Sequence, residues 1–395
     1  AQMIAPHDKN TIAEVNKIRN ASEIKFKGNK ELIEIIGQAI DDEYIKELTT
    51  ISLSPEAISR HKDMKIVYTP IHGTGVKLVP AALKAYGFTN IIHVPEQDVV
   101  SGDFPTVISP NPEEPAALAM AVEKAKETDA ELVMASDPDA DRVGAAVKNN
   151  EGEWVLLNGN QTALMFVYYL ITRWKELGKI NGKEYIVKTI VTTKMADAVA
   201  KKYGASVINV LTGFKYIGEQ IGLLEKKGEA DRFLLGFEES YGYLLGTQVR
   251  DKDAVVAALA IAGMANEYKK QGKTLVARLN ELYAEYGRYA HKLFTYEFAG
   301  AEGSGKIRKL MQELRDGAPA EIGGSEVVKV TDYLDSGKTG LPKSNVLSFD
   351  LADGSGVVMR PSGTEPLVKI YATVCGGKDA AEKFAAVESF VKSRL

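Results

Sequence analysis

Cysteine is all but absent. Cys375 is the one thiol in 395 residues, so no internal disulfide can form and no zinc-finger spacing exists. That usage fits a reducing compartment, and a cytoplasmic location is expected. Histidine is scarce as well. His7, His61, His72, His93 and His291 are scattered without metal-ligand spacing, and no Ser-His-Asp or G-x-S-x-G arrangement points to acyl transfer. His72, in "IHGTG", reads as the brace of a turn. Charge of one sign is not in excess: 49 basic and 53 acidic side chains leave a formal net charge of −4, with no global pull toward nucleic acid or an acidic membrane. Long apolar runs are missing too. The longest, near 162–171 and 254–265, fall short of the roughly 20 residues a bilayer span needs, and no signal peptide is visible. What is present, 45% hydrophobic and 26% charged residues, is ordinary for a soluble globular protein. The length argues for two to four domains.

Residues 10–50 read as helices, because apolar residues recur at helical spacing in "TIAEVNKI" and "ELIEIIGQAI". A strand follows at 65–70, then the loop "IHGTG", a helix closed by Gly87, and the strand "NIIHVP". Past the Pro-rich "SPNPEEP" come a helix over 114–127, a strand over 131–135, an aspartate-rich loop and a return strand over 143–147. Alternation of strand and helix marks an α/β layer. The pattern then recurs: "EYIVKTIV", a helix, "ASVINV", the loop and helix "TGFKYIGEQI", "RFLLGF", a polar loop, and a short return at "LLG". The expected fold is α/β, with two consecutive related α/β domains of mixed sheets followed by a smaller α+β C-terminal domain. Their expected extents are 55–178, 179–290 and 291–395, with 1–54 as the tail of a preceding domain.

Three loops carry chemistry. In "MASDPDADRVG", Asp137, Asp139 and Asp141 follow an apolar strand, at the carboxyl end where α/β folds bind ligands. Crowded carboxylates need a counter-charge, and a hard divalent cation such as Mg²⁺ takes oxygen ligands. Arg142 cannot coordinate a metal, but its fork can hold phosphate oxygens. An EF-hand loop needs Gly at position six and Glu at twelve, where Arg142 and Lys148 stand, so calcium of that kind is excluded. The plainer alternative is a solvated acidic loop. In "GFEESYGY", Glu238 and Ser240 lie two apart, which in extended geometry turns both side chains the same way, toward neighbouring sugar hydroxyls; the alternative is a polar turn. In "RPSGTEP", Arg360, Ser362, Gly363 and Thr364 offer a fork, two hydroxyls and an approachable backbone, a phosphate cradle or else a tight turn between strands. Gly213 and Lys215 in "LTGFKYIG" precede a helix and form a weaker anion site. Lys188, inside an otherwise apolar strand, reads either as a snorkelling surface lysine or as a charge aimed at the cleft. Asp253, in "RDKD", reads as the N-cap of the helix that follows.

With the loops "DPDADR", "GFEES" and "RPSGTEP" in this order, together with "TGFK", strand Lys188 and "TPIHGTG", the chain resembles the α-D-phosphohexomutase superfamily of phosphoglucomutases and phosphomannomutases. "GFEESYGY…VRDKDA" resembles most the bacterial phosphoglucomutase branch that is also similar to phosphopentomutases. The resemblance implies interconversion of sugar 1-phosphate and sugar 6-phosphate through a phosphoserine enzyme, with Mg²⁺ and glucose 1,6-bisphosphate as intermediate. It implies that Asp137, Asp139 and Asp141 hold the metal, that Arg142 steadies the transferring phosphoryl, that Lys188 takes a catalytic part by adding positive charge near the sugar or its phosphate, and that Gly213, Lys215, Glu238, Ser240, Arg360, Ser362, Gly363 and Thr364 bind substrate. The implied partner is a small phosphosugar, with no nucleic acid and no membrane; glucose, mannose, glucosamine and pentose phosphates all stay open. The resemblance also implies a catalytic serine in a Ser-His-Asn-Pro loop. No Ser-His dipeptide occurs here, so the opening "AQMIAPHDKN" is expected to be the tail of a cut first domain and the chain to be inactive alone. Two competing readings are a Mg²⁺-dependent sugar-phosphate phosphatase, which should carry an Asp-x-Asp-x-Thr nucleophile loop not seen here, and a non-catalytic sugar-phosphate binding fragment.

Overall fold

A computed structural model describes residues 3, 6–298, 303–362, 365–377 and 379–394. The N-terminal stretch carries α1 (His7–Val15) and α2 (Gly37–Thr49). Between them the expected helical run is broken: Ile33, Ile35 and Ile36 lie outside any helix and are 65–90% exposed. They have an apolar helical spacing, but they bury no face against the rest of the described chain, and tertiary packing is what stabilises most helices.

The first α/β unit contains α3 (Pro55–Arg60), β1 (Ile66–Thr69), α4 (Gly75–Tyr86), β2 (Ile91–His93), α5 (Pro115–Thr128), β3 (Leu132–Ser136), β4 (Val143–Lys148) and β5 (Trp154–Leu157). Its sheet runs β2-β1-β3-β4-β5, parallel across β2-β1-β3 and antiparallel beyond. Buried on both faces, "IVYT" and "LVMAS" read as continuous apolar runs, as parallel central strands do. After α6 (Gly159–Glu176) the second unit repeats the plan with β6 (Tyr185–Thr189), α7 (Met195–Lys202), β7 (Ser206–Val210), α8 (Phe214–Lys226), β8 (Phe233–Phe237) and β9 (Tyr243–Leu245). Its order, β7-β6-β8-β9, matches β2-β1-β3-β4 of the first sheet in direction. The helices α9 (Ala254–Lys270) and α10 (Leu275–Tyr286) follow.

Two helices change sides. α6 leaves the first sheet but packs on α7 and β8 of the second unit, whereas α9 leaves the second sheet and packs on α3, α4, β3 and β4 of the first. One apolar core therefore runs through both units. The start of α9 is set by Asp253, whose Oδ1 accepts from the N–H groups of Val255 and Val256 at 2.9 and 3.2 Å, so the expected N-cap is present. No helix among the described residues is long and apolar enough to cross a membrane.

The third unit holds β10 (Tyr289–Glu297), α11 (Gly303–Asp316), β11 (Glu321–Ile322), β12 (Ser325–Asp332), α12 (Ser336–Thr339), β13 (Leu347–Leu351), β14 (Gly356–Pro361), β15 (Leu367–Cys375) and α13 (Ala380–Lys392). Its antiparallel sheet runs β10-β15-β14-β13-β12-β11. It meets the second unit through Val191 against Val346, Val358 and Tyr371 and through a 2.7 Å ion pair, Lys194–Asp350. That contact lets the third unit wall a cavity opened by the other two.

Candidate active site

The aspartate loop is a tight turn between β3 and β4. The Asp137 N–H donates to the Arg142 carbonyl at 3.2 Å, and Ala140 sits at φ 56°. Asp137 Oδ1 accepts from the N–H groups of Asp141 and Arg142 at 3.1 and 2.9 Å, and Oδ2 accepts from Arg142 Nε at 2.6 Å. The "IHGTG" loop backs this turn. The Thr74 N–H donates to the Pro138 carbonyl at 2.9 Å, and a Cβ on Gly73 would lie 2.4 Å from Pro138 Cα, so only glycine fits. Ile71 and His72 adopt φ 47° and 63°. His72 fixes the strained turn as expected: its Nδ1–H donates to the Val99 carbonyl and its Nε2 accepts from the Thr106 hydroxyl, both at 2.8 Å.

Carboxylate oxygens of Asp137, Asp139 and Asp141 all lie within 4.8 Å of one another, with Asp137 buried and Asp139 exposed. Three hard oxygen donors converging in this way fit a divalent cation. Burial pushes the Asp137 carboxyl up to about 6 against the hydrogen bonds of Arg142. Arg142 turns its far end toward Glu113, Nη1 to Oε1 3.4 Å. Burial raises the Glu113 carboxyl, and the charges of Arg142 and Lys369 oppose it.

The second unit brings its equivalent loop against the first. The Glu238 N–H donates to the Gly242 carbonyl at 2.9 Å, Gly242 forms a β-bridge with Arg142, and the Val143 N–H donates to the Tyr241 carbonyl at 3.1 Å. Here the alternation expected of Glu238 and Ser240 breaks. β8 ends at Phe237, and Tyr241 sits at φ 65°, so the chain is turning rather than extended. Glu238 Oε1 accepts from the Gly213 N–H at 2.9 Å, while Glu239 and Ser240 face a cavity. Burial raises the Glu238 carboxyl, with Lys252 the main opposing charge. Burial, then Glu238, pushes Glu239 up to about 7, and Thr189 Oγ1 donates to its Oε2 at 3.2 Å.

The cavity, about 420 Å³, lies among the three units. Ser240 and Glu239 line it from the second, Glu113 from the first, and Arg360, Lys369 and His291 from the third. The N-terminus of α6 adds Asn158, Gly159 and Asn160. Lys188 does not line it; it is 3% exposed, with Nζ 3.1 Å from Asp197 Oδ2. Burial lowers the Lys188 ammonium, and Asp197 opposes that. His291 is lowered to about 4 by burial and by Lys188. Lys215 is exposed, its Nζ 5.1 Å from the Tyr216 ring centroid, and does not line the cavity. The Ser362 hydroxyl accepts from the Glu365 N–H at 3.2 Å, shaping the turn after Arg360. Gly363 and Thr364 lie outside the described residues.

Several residues of the site carry no clear mark in the sequence. Glu239 lies inside "GFEES" with no local sign that sets it apart from Glu238, Glu113 lies in the Pro-rich "SPNPEEP" far from the three motifs, and Lys252 lies within "RDKD", whose local signal is a helix cap. His291 and Lys369 stand in strands of the third unit with no local pattern to mark them.

Three family models match in chain order: the phosphoglucomutase/phosphomannomutase α/β/α domain II over residues 42–152, domain III over 158–286 and the C-terminal domain over 307–389. A Haemophilus influenzae protein named a probable phosphomannomutase is 35% identical over the full chain, which covers 76% of it. The chain belongs to the phosphoglucomutase/phosphomannomutase family. A Staphylococcus haemolyticus phosphoglucomutase is 34% identical over 90% of the chain, and the chain spans 66% of that protein. Among solved structures, a putative phosphomannomutase from Thermus thermophilus shares the fold with a TM-score of 0.64 at 19% identity, covering 89% of this chain and 66% of that one. The aspartate loop thus falls in domain II, the loop of Glu238 and Ser240 in domain III, and Arg360 in the C-terminal domain.

Proposed function

We propose that the protein serves a phosphosugar mutase that interconverts sugar 1-phosphate and sugar 6-phosphate, with glucose the first substrate to test. One observation carries this reading: Ser240, Arg360 and, through Glu113, Arg142 converge on one cavity shared by all three units, beside the three-aspartate cluster. Asp137, Asp139 and Asp141 would hold Mg²⁺, which when bound neutralises charge on a phosphoryl group in transfer. Arg142, held in place by Asp137 and Glu113, steadies the transferring phosphoryl, with Lys188 adding positive charge. Ser240, with Glu238 beside it, grips the sugar hydroxyls. Arg360, with Ser362, Gly363 and Thr364, holds the phosphate that is not reacting. Such an arrangement suits phosphoryl transfer, which relies on positioning and charge more than on covalent chemistry. A remote phosphate grip orients the reacting end, and enclosure excludes water that would divert the phosphoryl group to hydrolysis.

On this reading the phosphoryl donor is a serine of a Ser-His loop, a dipeptide that these residues do not contain. The chain by itself is then expected to bind phosphosugars without turning them over. Calorimetry with glucose 1-phosphate and glucose 1,6-bisphosphate tests the binding. Arg360→Ala should weaken both by about tenfold or more, the scale of a charge-assisted hydrogen-bond pair. Equal binding by Arg360→Ala would reduce the turn to a structural one. Isomerisation of glucose 1-phosphate by the chain alone would overturn the need for the serine, and phosphate release without isomerisation would point to a phosphatase.

A further inference from the structure

Lys252 stands where the two loops of the site meet. It lies between β9 and α9, only 15% exposed, its Nζ 2.7 Å from Asp141 Oδ2 and 3.7 Å from Asp251 Oδ1. The stem crosses Gly242 so closely that a Cβ there would lie 2.3 Å from Lys252 Cδ. Gly242 is also the residue bridged to Arg142 of the aspartate loop. The ammonium is 5.9 Å from the ring centroid of Phe214, which opens α8, and it supplies the main charge felt by Glu238.

A divalent ion that takes Asp141 Oδ2 competes with the ammonium already resting on it. On Asp137 the resident cation is Arg142, which Glu113 also holds; on Asp141 it is Lys252, the resident cation that an incoming ion can displace. The displaced ammonium has a buried acceptor close by. Among the described residues Glu238 has no ion-pair partner within 4.0 Å, only the Gly213 N–H on Oε1.

We propose that Lys252 is a relay cation: it holds Asp141 when no divalent ion is bound and passes to Glu238 when one takes Asp141, coupling cation binding to the sugar loop. The relay rests on the mutase reading. Lys252 in its second position orders the turn that carries Glu239 and Ser240, so an ion in the aspartate loop tightens sugar-phosphate binding, and the sugar phosphate tightens the ion by the same factor.

The test is calorimetric titration of Mn²⁺ into the 395-residue chain and into Lys252→Met and Lys252→Arg, each with and without saturating glucose 1,6-bisphosphate. Without the sugar, Lys252→Met should bind Mn²⁺ about tenfold more tightly than wild type, the scale of a partly buried ion pair removed from competition. The bisphosphate should improve wild-type Mn²⁺ affinity about fivefold or more, improve that of Lys252→Met less than about twofold, and act on Lys252→Arg as on wild type. A merely structural role predicts the opposite sign for the first difference, because a loosened loop binds the ion less well. Unchanged or weaker Mn²⁺ binding by a folded Lys252→Met, or coupling that survives in it, overturns the relay and leaves the mutase reading intact. If Lys252→Met does not fold, Lys252→Gln, which keeps a stem across Gly242, is read in the same way. A wild-type chain that binds Mn²⁺ but no bisphosphate overturns the mutase reading, and the Mn²⁺ difference then still decides whether Lys252 competes for Asp141. A wild-type chain that binds no Mn²⁺ overturns both.

Discussion

Glu239 offers a prediction with a definite sign. Its carboxyl faces the cavity with Thr189 Oγ1 at 3.2 Å, and burial, then Glu238, pushes it from 4.5 up to about 7. The folded protein therefore holds this proton more tightly than the unfolded chain. The stability it contributes is complete below about pH 4.5 and is lost as pH rises through about 7. A gap of about 2.5 units at roughly 1.36 kcal/mol each gives about 3.4 kcal/mol, and because the side chain borders an open cavity the expected figure falls to about 2 kcal/mol. Glutamine has the shape of the protonated acid and cannot ionise. Between pH 4.5 and pH 8, Glu239→Gln should therefore gain about 2 kcal/mol relative to wild type, whatever constant offset separates the two. The assay is urea unfolding at half-unit pH steps followed by tryptophan fluorescence, reading the transition of Trp174 on α6, which packs on the second unit. Parallel pH profiles for the two proteins would mean that Glu239 ionises as an ordinary carboxylate, and the burial argument would fail.

Gly159→Ala should displace the sugar loop, because the new Cβ would lie 1.8 Å from the Glu239 carbonyl oxygen. The expected cost is about 1–3 kcal/mol in urea unfolding together with weaker phosphosugar binding, and an unchanged urea midpoint would refute it. Asp139→Ala should abolish Mn²⁺ binding in calorimetry yet leave unfolding within about 0.5 kcal/mol, since Asp139 is exposed; retained Mn²⁺ binding would remove it from the cation site. Arg142→Met should cost about 3 kcal/mol at pH 8, because it strands the buried Asp137 carboxylate. The loss should shrink below pH 6, where Asp137 takes up a proton, its carboxyl being raised to about 6 even with Arg142 present. A pH-independent loss would instead indicate lost packing.

The strands and their loops are legible where the signal is local. "IVYT" and "LVMAS" announce buried strands by composition, Gly87 at φ 108° closes α4 at the expected stop, and Asp253 caps α9. β10 is a strand that the sequence does not announce. It lies at the edge of its sheet with Lys292 and Leu293 both exposed in succession, so it lacks the two-residue alternation that marks a half-buried strand. Ile33 to Ile36 show the converse, since periodicity without a surface to bury against does not make a helix.

Much of the site is local too. Three aspartates at alternate positions after an apolar strand place three carboxylates on one short turn, where their oxygens lie within 4.8 Å of one another. The rest depends on distance in space. Whether Lys188 snorkels or is buried is settled by packing that leaves it 3% exposed beside Asp197 of α7. That Glu239, rather than Glu238, faces the cavity follows from the turn at Tyr241 and from Gly159 pressing on the Glu239 carbonyl. Lys252 meets Asp141, more than a hundred residues earlier, because the two α/β units share one core through their exchanged helices α6 and α9. Sequence by itself determined most elements of the two α/β units, the carboxylate cluster and the family. Only the tertiary structure decided which charges face one another, because charge pairing across units depends on how sheets pack and not on how residues are spaced.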